Sequence, residues 1–470
     1  MNALSTKTIF DADLVRRYDG PGPRYTSYPT AVQFHTGFGI AEYEAAARAS
    51  NTLDPKPLSI YVHVPFCESP CFYCGCNKVI TRDHGRATPY LEHLFSEIDR
   101  QGALFDRSRA VEQLHFGGGT PTFFTDAELE SVFAKLRERF TLRDDPGREY
   151  SIEIDPRTVS VERLAVLSRL GFNRVSLGVQ DFDADVQLAV NRVQSSEDTL
   201  ALIAATRDPA LHIDSVSVDL IYGLPKQTRA SFARTLDLVI NARPDRIAAY
   251  SYAHLPHLFK PQRQIKAEDL ISPAEKLGLL GLTVETLTNA GYVYIGMDHF
   301  ALPTDELVRA QQAGTLQRNF QGYSTRAECD LIAIGVSSIS KVGDTYAQNA
   351  KTLPEYYRMI EAGSLAVQRG VALEPEDRLR RDVIQQLMCA TRLEFAPIEA
   401  RHGIRFEEHF AAELEALAPL ERDDLVAREG RSLRISERGR LLMRNVAMVF
   451  DAHLKKAVAT STQPRFSRVV

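Results

Sequence analysis

From about residue 58 to residue 290 the chain alternates short apolar runs with longer stretches whose apolar positions recur at helical spacing. The apolar runs predict strands at 59–64, 111–116, 151–154, 174–179, 215–221 and 246–252. The amphipathic stretches predict helices at 90–101, 126–140, 161–170, 197–207, 231–241 and 273–290. Alternation of this kind marks βα units on a parallel sheet, so the fold class is α/β. Six units suit an incomplete, TIM-like (βα)6 barrel better than a closed eightfold one. A doubly wound sheet has the same local pattern and stays open as an alternative. Beyond residue 370 the pattern turns mostly helical, at 380–389, 406–417 and 439–454, with a short strand at 432–436. The organisation read from this is an N-terminal arm at 1–53, a main α/β domain at 54–369 and a smaller, mainly helical, winged-helix-like domain at 370–470. Loops at 296–300 and 318–323 are expected to cover one end of the barrel.

The polar residues fall where such a barrel keeps its chemistry. Each predicted strand runs into a polar or glycine-rich segment: Gly117-Gly118-Gly119-Thr120-Pro121, Glu153-Ile154-Asp155-Pro156, Gln180-Asp181, Tyr222-Gly223-Leu224-Pro225 after Asp219, and Ala253-His254. In parallel α/β folds ligands bind at the carboxyl ends of the strands. The triple glycine lacks the G-x-G-x-x-G spacing of a dinucleotide fingerprint. It reads either as a tight turn or as backbone laid close to a ligand.

The loop after the first strand carries four cysteines in ten residues, Cys67-Glu68-Ser69-Pro70-Cys71-Phe72-Tyr73-Cys74-Gly75-Cys76. The C-x3-C-x2-C spacing of Cys67, Cys71 and Cys74 offers three thiolates to one iron–sulfur cubane and leaves one iron open to a ligand. A structural zinc would want a second pair of ligands at a distance; Cys329 and Cys389 stand alone and His254/His257 is a single short pair. A disulfide framework belongs to small secreted domains.

Composition narrows the picture little. The chain is 44% hydrophobic and 25% charged, with no Trp and a net charge of −5, and it shows no general footprint for nucleic acid or anionic membrane. No apolar stretch approaches a membrane span, and the first eleven residues do not read as a secretory signal. Clustered free cysteines then place the protein in the reducing cytoplasm.

The cysteine loop resembles that of the radical S-adenosylmethionine enzymes. Over nearly its full length the chain is similar to the oxygen-independent coproporphyrinogen III oxidase family among them. The likeness runs from Pro23-Arg24-Tyr25-Thr26-Ser27-Tyr28-Pro29-Thr30 through Tyr61-Val62-His63-Val64-Pro65-Phe66-Cys67 and His115-Phe116-Gly117-Gly118-Gly119. It continues through Asp219-Leu220-Ile221-Tyr222-Gly223-Leu224-Pro225, Gly296-Met297-Asp298-His299-Phe300 and Arg318-Asn319-Phe320-Gln321-Gly322-Tyr323 to the terminal Phe466-Ser467-Arg468-Val469-Val470.

That resemblance implies a [4Fe–4S] cluster on Cys67, Cys71 and Cys74. It implies one S-adenosylmethionine at Tyr61, Tyr73, Gly118 and Glu153, with Tyr61 toward the sulfonium. A second S-adenosylmethionine would lie at Gly119, Thr120, Gln180, Arg192, Asp219, Ala253 and Ile339. Cys76 would not bind the cluster, though the oxidases carry a cysteine there. The implied reaction is oxidative decarboxylation of two propionates of coproporphyrinogen III to vinyl groups, giving protoporphyrinogen IX, with electrons from a low-potential donor such as a flavodoxin. The substrate's carboxylates call for guanidinium partners, and Arg24 is the candidate. A monomer is expected. The nearest rival is the haem chaperone of the same superfamily, whose members generally lack the N-terminal segment and the cysteine at the position of Cys76. A non-catalytic zinc protein is the rival of another class.

Overall fold

The structure is a computed structural model that describes residues 8–326, 329–454 and Arg468. Apart from Arg468, the terminal 466–470 motif lies outside the described residues. Six parallel strands, β1 (Leu58–Val64), β2 (Ala110–Gly118), β3 (Glu149–Ile154), β4 (Arg174–Gln180), β5 (Ser215–Tyr222) and β6 (Arg246–Ser251), lie side by side in chain order. Helices α1 (Ala87–Gly102), α2 (Asp126–Arg139), α3 (Val161–Leu170), α4 (Ser196–Ala205), α5 (Arg229–Ala242) and α6 (Pro273–Asn289) follow or alternate with them. The expected incomplete barrel is present, and its strands pair in sequence order with no switch point, which removes the doubly wound alternative.

Alternation along the strands explains both the core and the cavity. On β5, Val216, Val218, Leu220 and Tyr222 are buried, while Ser217 and Asp219 keep accessible surface. On β4, Val175, Leu177 and Val179 are buried and Ser176 and Gly178 are not; on β3, Ile152 and Ile154 flank Glu153 in the same way. Side chains alternate across a strand, so the apolar row packs against the helices and the polar row faces the barrel interior. A closed barrel fills its interior with branched apolar side chains. Here small and polar residues leave it hollow.

The sheet extends beyond the six units, which corrects the reading of the later segments. Asp330–Ile334 lies parallel to β1 on its outer side as a seventh parallel strand, and Ile339–Val342, Thr345–Asn349 and Val367–Ala372 add antiparallel strands beyond it. Residues 296–300 and 318–323 are not irregular loops. Val293–Gly296 and His299–Ala301 form a hairpin on the edge of β6, and Gln317–Asn319 pairs with Gly322–Ser324. These strands are only three to six residues long and helices space just two of their connections, Glu306–Ala313 and Leu353–Glu361, so they lack the regular βα rhythm that makes the others legible.

The C-terminal part holds Pro375–Cys389, a run of short helices from Phe395 to Arg422, a three-stranded antiparallel sheet and the helix Met443–Val449. The expected helices at 406–417 and 439–454 are each broken, the first at Phe410 and the second by a 3-10 turn at Arg440–Leu442. The N-terminal arm is clamped to this part. Tyr25 Oη donates to Asp451 (3.0 Å), Tyr18 Oη to Asp423 (2.6 Å), and Arg438 pairs with Asp11 (2.6 Å). That clamp carries Arg24 to the barrel.

One buried carboxylate ties the seventh strand to α1. Glu97, with no accessible surface, accepts hydrogen bonds from Tyr356 Oη (2.6 Å), Asn349 Nδ2 (2.6 Å) and the Gly335 backbone N–H (2.8 Å). Burial pushes its carboxyl up from the ordinary range, opposed by these three donors. Glu97→Ala would orphan the Tyr356 hydroxyl and the Gly335 N–H and remove one acceptor of Asn349, and we expect it to cost about 3–5 kcal/mol of stability, as removal of a buried, hydrogen-bonded group does. Urea unfolding reads this; a midpoint equal to that of the unsubstituted protein would contradict it.

Candidate active site

The cysteine loop leaves β1 and is fastened on three sides. The Gly119 N–H donates to Val64 O (2.7 Å) and the Thr120 N–H to Phe66 O (2.8 Å), which ties the loop's start to the turn after β2. The Phe72 N–H donates to Val190 O (2.9 Å) and Asn191 Nδ2 to Pro70 O (2.7 Å). Gln262 Nε2 donates both to Tyr73 O (2.9 Å) and to Ala253 O (3.1 Å), so Ala253 reaches the loop through its carbonyl.

Cys67, Cys71 and Cys74 face one cavity of about 420 Å³. The cavity is also lined by Tyr73, Cys76, Gly118, Gly119, Thr120, Glu153, Gln180, Arg192 and Asp219. The volume is in the range of small-molecule sites. Among the described residues no three or more His, Cys, Asp or Glu side chains converge on a single-ion position. A lone zinc needs such convergence, whereas a cubane takes one thiolate at each iron.

The sulfurs have unequal surroundings. Cys71 Sγ accepts from Arg192 Nη1 (3.4 Å) and Arg157 Nη2 (3.7 Å), and both guanidiniums also bind Asp155. The Cys76 thiol and Lys78 bring the Cys74 thiol down to about 5. Burial pushes the Cys67 thiol up to about 11, against the hydroxyl of Thr120 at 3.4 Å. Metal binding would deprotonate all three.

Across the cavity two carboxyls differ. Glu153 is pulled up by burial, but His115 Nε2 (3.2 Å) and the Gly118 N–H (3.2 Å) outweigh this and hold it below the usual range. Asp219 has only Ser176 Oγ (3.4 Å); burial, then the nearby charge of Glu153, push it up to about 7. One acid is therefore a fixed anion and the other titrates near neutrality.

The site fits a polar ligand laid against bare backbone. Gln180 Oε1 and Arg192 Nε are buried without partners, an arrangement that costs free energy unless something arrives. A Cβ on Gly117 would lie 2.9 Å from Glu153 Oε1, and one on Gly119 would lie 2.7 Å from Phe66 O. The donor set suits the three-thiolate cubane and S-adenosylmethionine: thiolates beside open space, carboxylates for an ammonium and ribose hydroxyls, and guanidinium for a carboxylate.

Four of the residues named from sequence are not in this cavity wall: Ala253, which meets the loop through its carbonyl, and three that stand apart. Tyr61 lies on the inner face of β1, its hydroxyl on His63 Nδ1 (3.1 Å) and one ring face stacked on His115 at 5.7 Å, so a sulfonium would have to use the other face. Ile339 packs with Phe34, Phe320 and Tyr346 on the antiparallel extension, outside the thiol cavity. Arg24 lies farther along the interior, paired with Asp298 and 5.9 Å from the Tyr250 ring centre. Sequence reasoning missed Lys78, Arg157 and Gln262. Lys78 had a signal in standing four residues after Cys74, and Arg157 in following Asp155-Pro156 at a strand end. Gln262 had none.

A wider cleft of about 1220 Å³ lies between the opposite rim of the barrel and the C-terminal part. Of the arginines lining it, Arg378 and Arg381 pair with Asp344, Arg401 with Asp382 and Arg326 with Glu112 and Glu149, while Arg318 meets no carboxylate among the described residues. No thiol of the cysteine loop lines it. Among the described residues no helix is long and apolar enough to cross a membrane.

Comparison with known proteins agrees with this geometry. The radical SAM superfamily matches residues 61–239 and the HemN C-terminal domain residues 373–442. The oxygen-independent coproporphyrinogen III oxidase of Pseudomonas aeruginosa is 51% identical over 461 residues, covering 98% of this chain and 99% of that protein. Its Escherichia coli counterpart is 46% identical over 462 residues, covering 98% of each. The solved structure of coproporphyrinogen III oxidase (HemN) from Escherichia coli, described as a radical SAM enzyme, superposes with a TM-score of 0.90 at 45% identity, covering 95% of this chain and 100% of that one. With this identity over almost every residue and the same fold, the chain belongs to the oxygen-independent coproporphyrinogen III oxidase family of radical S-adenosylmethionine enzymes.

Proposed function

We propose that this protein converts two propionates of coproporphyrinogen III to vinyl groups, yielding protoporphyrinogen IX for haem synthesis without oxygen. The observation that carries the reading is the thiol cavity, with three cysteines of C-x3-C-x2-C spacing facing unpartnered polar groups. A propionate β-carbon is unactivated, and no side-chain base present can remove its hydrogen. The [4Fe–4S] cluster and S-adenosylmethionine, when bound, supply a 5′-deoxyadenosyl radical able to do so. Cys67, Cys71 and Cys74 would hold the cluster. Gly118, Tyr73 and Glu153 would seat the S-adenosylmethionine beside it, with Tyr61 behind Glu153. Gly119, Thr120, Gln180, Arg192 and Asp219, with Ala253 and Ile339 flanking, would hold a second molecule; the surplus of polar groups around the cavity supports that count. Cys76, next to Cys74 at the cavity mouth, stays off the cluster and faces the substrate. Arg24 meets a substrate carboxylate. The chain's own contribution is to orient these groups and to keep water from the radical.

The same reading has the protein working in the cytoplasm as a monomer, its electrons drawn from a low-potential donor such as a flavodoxin. The free state of every described cysteine suits a reducing compartment. The test is anaerobic reconstitution with iron and sulfide, then incubation with coproporphyrinogen III, S-adenosylmethionine and dithionite. The expected result is protoporphyrinogen IX, with methionine released. Cleavage of S-adenosylmethionine or haem binding with the substrate left intact would move the protein to the chaperone reading. Zinc without iron would overturn the radical reaction.

A further inference from the structure

Beside Tyr250 and outside the thiol cavity, three guanidiniums come within electrostatic reach of one another. Tyr250 stands on β6 beside β5, and the charges of Asp219 and of Arg24 both reach its hydroxyl. Arg24 pairs with Asp298 and keeps about a third of its side-chain surface, 35%, accessible. Arg318, from the hairpin Gln317–Asn319/Gly322–Ser324, is 5% exposed. Its Nε donates to Arg24 O (3.1 Å), its guanidinium lies 4.9 Å from the Tyr323 ring centre, and its Nη1 is buried without a partner. Arg444, also 5% exposed, donates to carbonyls, those of Gly22 (3.4 Å) and Arg468 (3.3 Å).

Three other deeply buried arginines are treated differently. Arg109 meets Asp330 at 2.5 Å, Arg192 meets Asp155 at 3.2 Å and Arg380 meets Glu413 at 3.1 Å. Among the described residues no carboxylate lies within ion-pair distance of Arg318 or Arg444. Of the groups around them, Asp298 is taken by Arg24, the charge of Asp19 reaches Arg444, Tyr222, Tyr250 and Tyr323 are neutral, and burial, then Arg318 and Arg24, hold His299 well below its ordinary pKa. His299 Nδ1 is likewise buried without a partner. Buried charge without a counter-ion costs several kcal/mol, which folding would avoid unless an anion is due there.

We propose that Arg318, with Arg444 and Arg24 beside it, is the anchor for a substrate carboxylate that does not react. This rests on the substrate reading above. The substrate carries four carboxylates, and two must be held while another propionate faces the radical. A guanidinium fork binds a carboxylate through two parallel hydrogen bonds, and Arg318 offers an unused Nη1 for one of them. A purely structural role would be met by the Nε bond to Arg24 O and the Tyr323 ring, and it leaves Nη1 unused.

The test is steady-state assay of the full-length, reconstituted Arg318→Met and Arg318→Lys enzymes. In Arg318→Met, KM for coproporphyrinogen III should rise on the order of tenfold to a hundredfold, the worth of one charge-assisted hydrogen bond. KM for S-adenosylmethionine and iron content should stay as in the unsubstituted enzyme, and Arg318→Lys should recover part of the loss. An unchanged KM, or equal falls in kcat and melting temperature in both variants with KM unchanged, would overturn the anchor and leave the substrate reading standing. An unsubstituted enzyme inert toward coproporphyrinogen III would instead overturn the substrate reading and the anchor with it. If Arg318→Met does not fold, inhibition of the unsubstituted enzyme by coproporphyrin III and by its tetramethyl ester decides: preference for the free acid is expected, and equal inhibition would overturn the proposal.

Discussion

Cys71→Ser protein, reconstituted without oxygen, is expected to hold little of the iron that the unsubstituted protein takes up and to form no detectable protoporphyrinogen IX. Cys71 is 8% exposed, and its sulfur is the one that Arg192 and Arg157 both reach. Two guanidiniums at one sulfur set positive charge beside the negative charge of a bound cluster. Serine keeps the volume but offers a hydroxyl that stays protonated and is too hard a donor for iron–sulfur ligation. The loss should exceed a hundredfold, since removing even an outer partner of a metal ligand costs about ten- to a hundredfold. Visible absorption, iron analysis and product assay read the effect together. A Cys71→Ser protein with full iron and turnover would remove Cys71 from the ligand set.

Gly119→Ala should damage the same site by a purely steric route. The added methyl would lie 2.7 Å from Phe66 O, 2.8 Å from Pro65 C and 2.9 Å from Pro65 O. All three are backbone atoms of the segment leading into Cys67, so no side-chain rotation relieves the clash. That segment is also held by the Val79 N–H on Pro65 O (2.7 Å) and the Thr120 N–H on Phe66 O (2.8 Å). The loop would therefore shift as a unit and carry Cys67 with it. The expected cost is about 1–3 kcal/mol of stability, in the range of overpacked cores, with reduced iron uptake and weakened S-adenosylmethionine binding. Gly20→Ala is the control: nothing lies within 4 Å of its Cβ, and it should behave as the unsubstituted protein. Thermal melting and equilibrium binding of S-adenosylmethionine check both variants, and normal binding by Gly119→Ala would show that this turn is not tied to the site.

The two variants bear on different parts of the site. Cys71 is a donor whose chemistry was visible in its spacing to Cys67 and Cys74. Gly119 was visible as one of three glycines after a strand, but whether they form a tight turn or a close approach to a ligand was open in the sequence. The structure shows a tight turn, hydrogen-bonded to the backbone that carries the first cysteine and lining the thiol cavity. Gly118, at φ +117°, takes the left-handed bend that lets this happen.

Local features of the chain were enough to specify the six βα units, the polar strand ends and the thiolate loop. Strand and helix periods are set by neighbours within a few residues, and so is the spacing of three cysteines on one loop. Glu153 and Asp219 were legible for the same reason, each an inward position on a strand whose neighbours point out. What they do was not legible. Glu153 stays an anion because His115 arrives from β2, and Asp219 is pushed up to about 7 by burial and by Glu153 from two strands away. The seventh parallel strand escaped notice because it is five residues long and no helix spaces it from the next strand. The meeting of Arg24, Arg318 and Arg444 depends on an N-terminal arm, a hairpin and a C-terminal helix brought together by packing. Contacts between residues hundreds of positions apart leave no periodic trace in a single chain, and only the folded barrel decides which charges share an interior and which of them lack a partner.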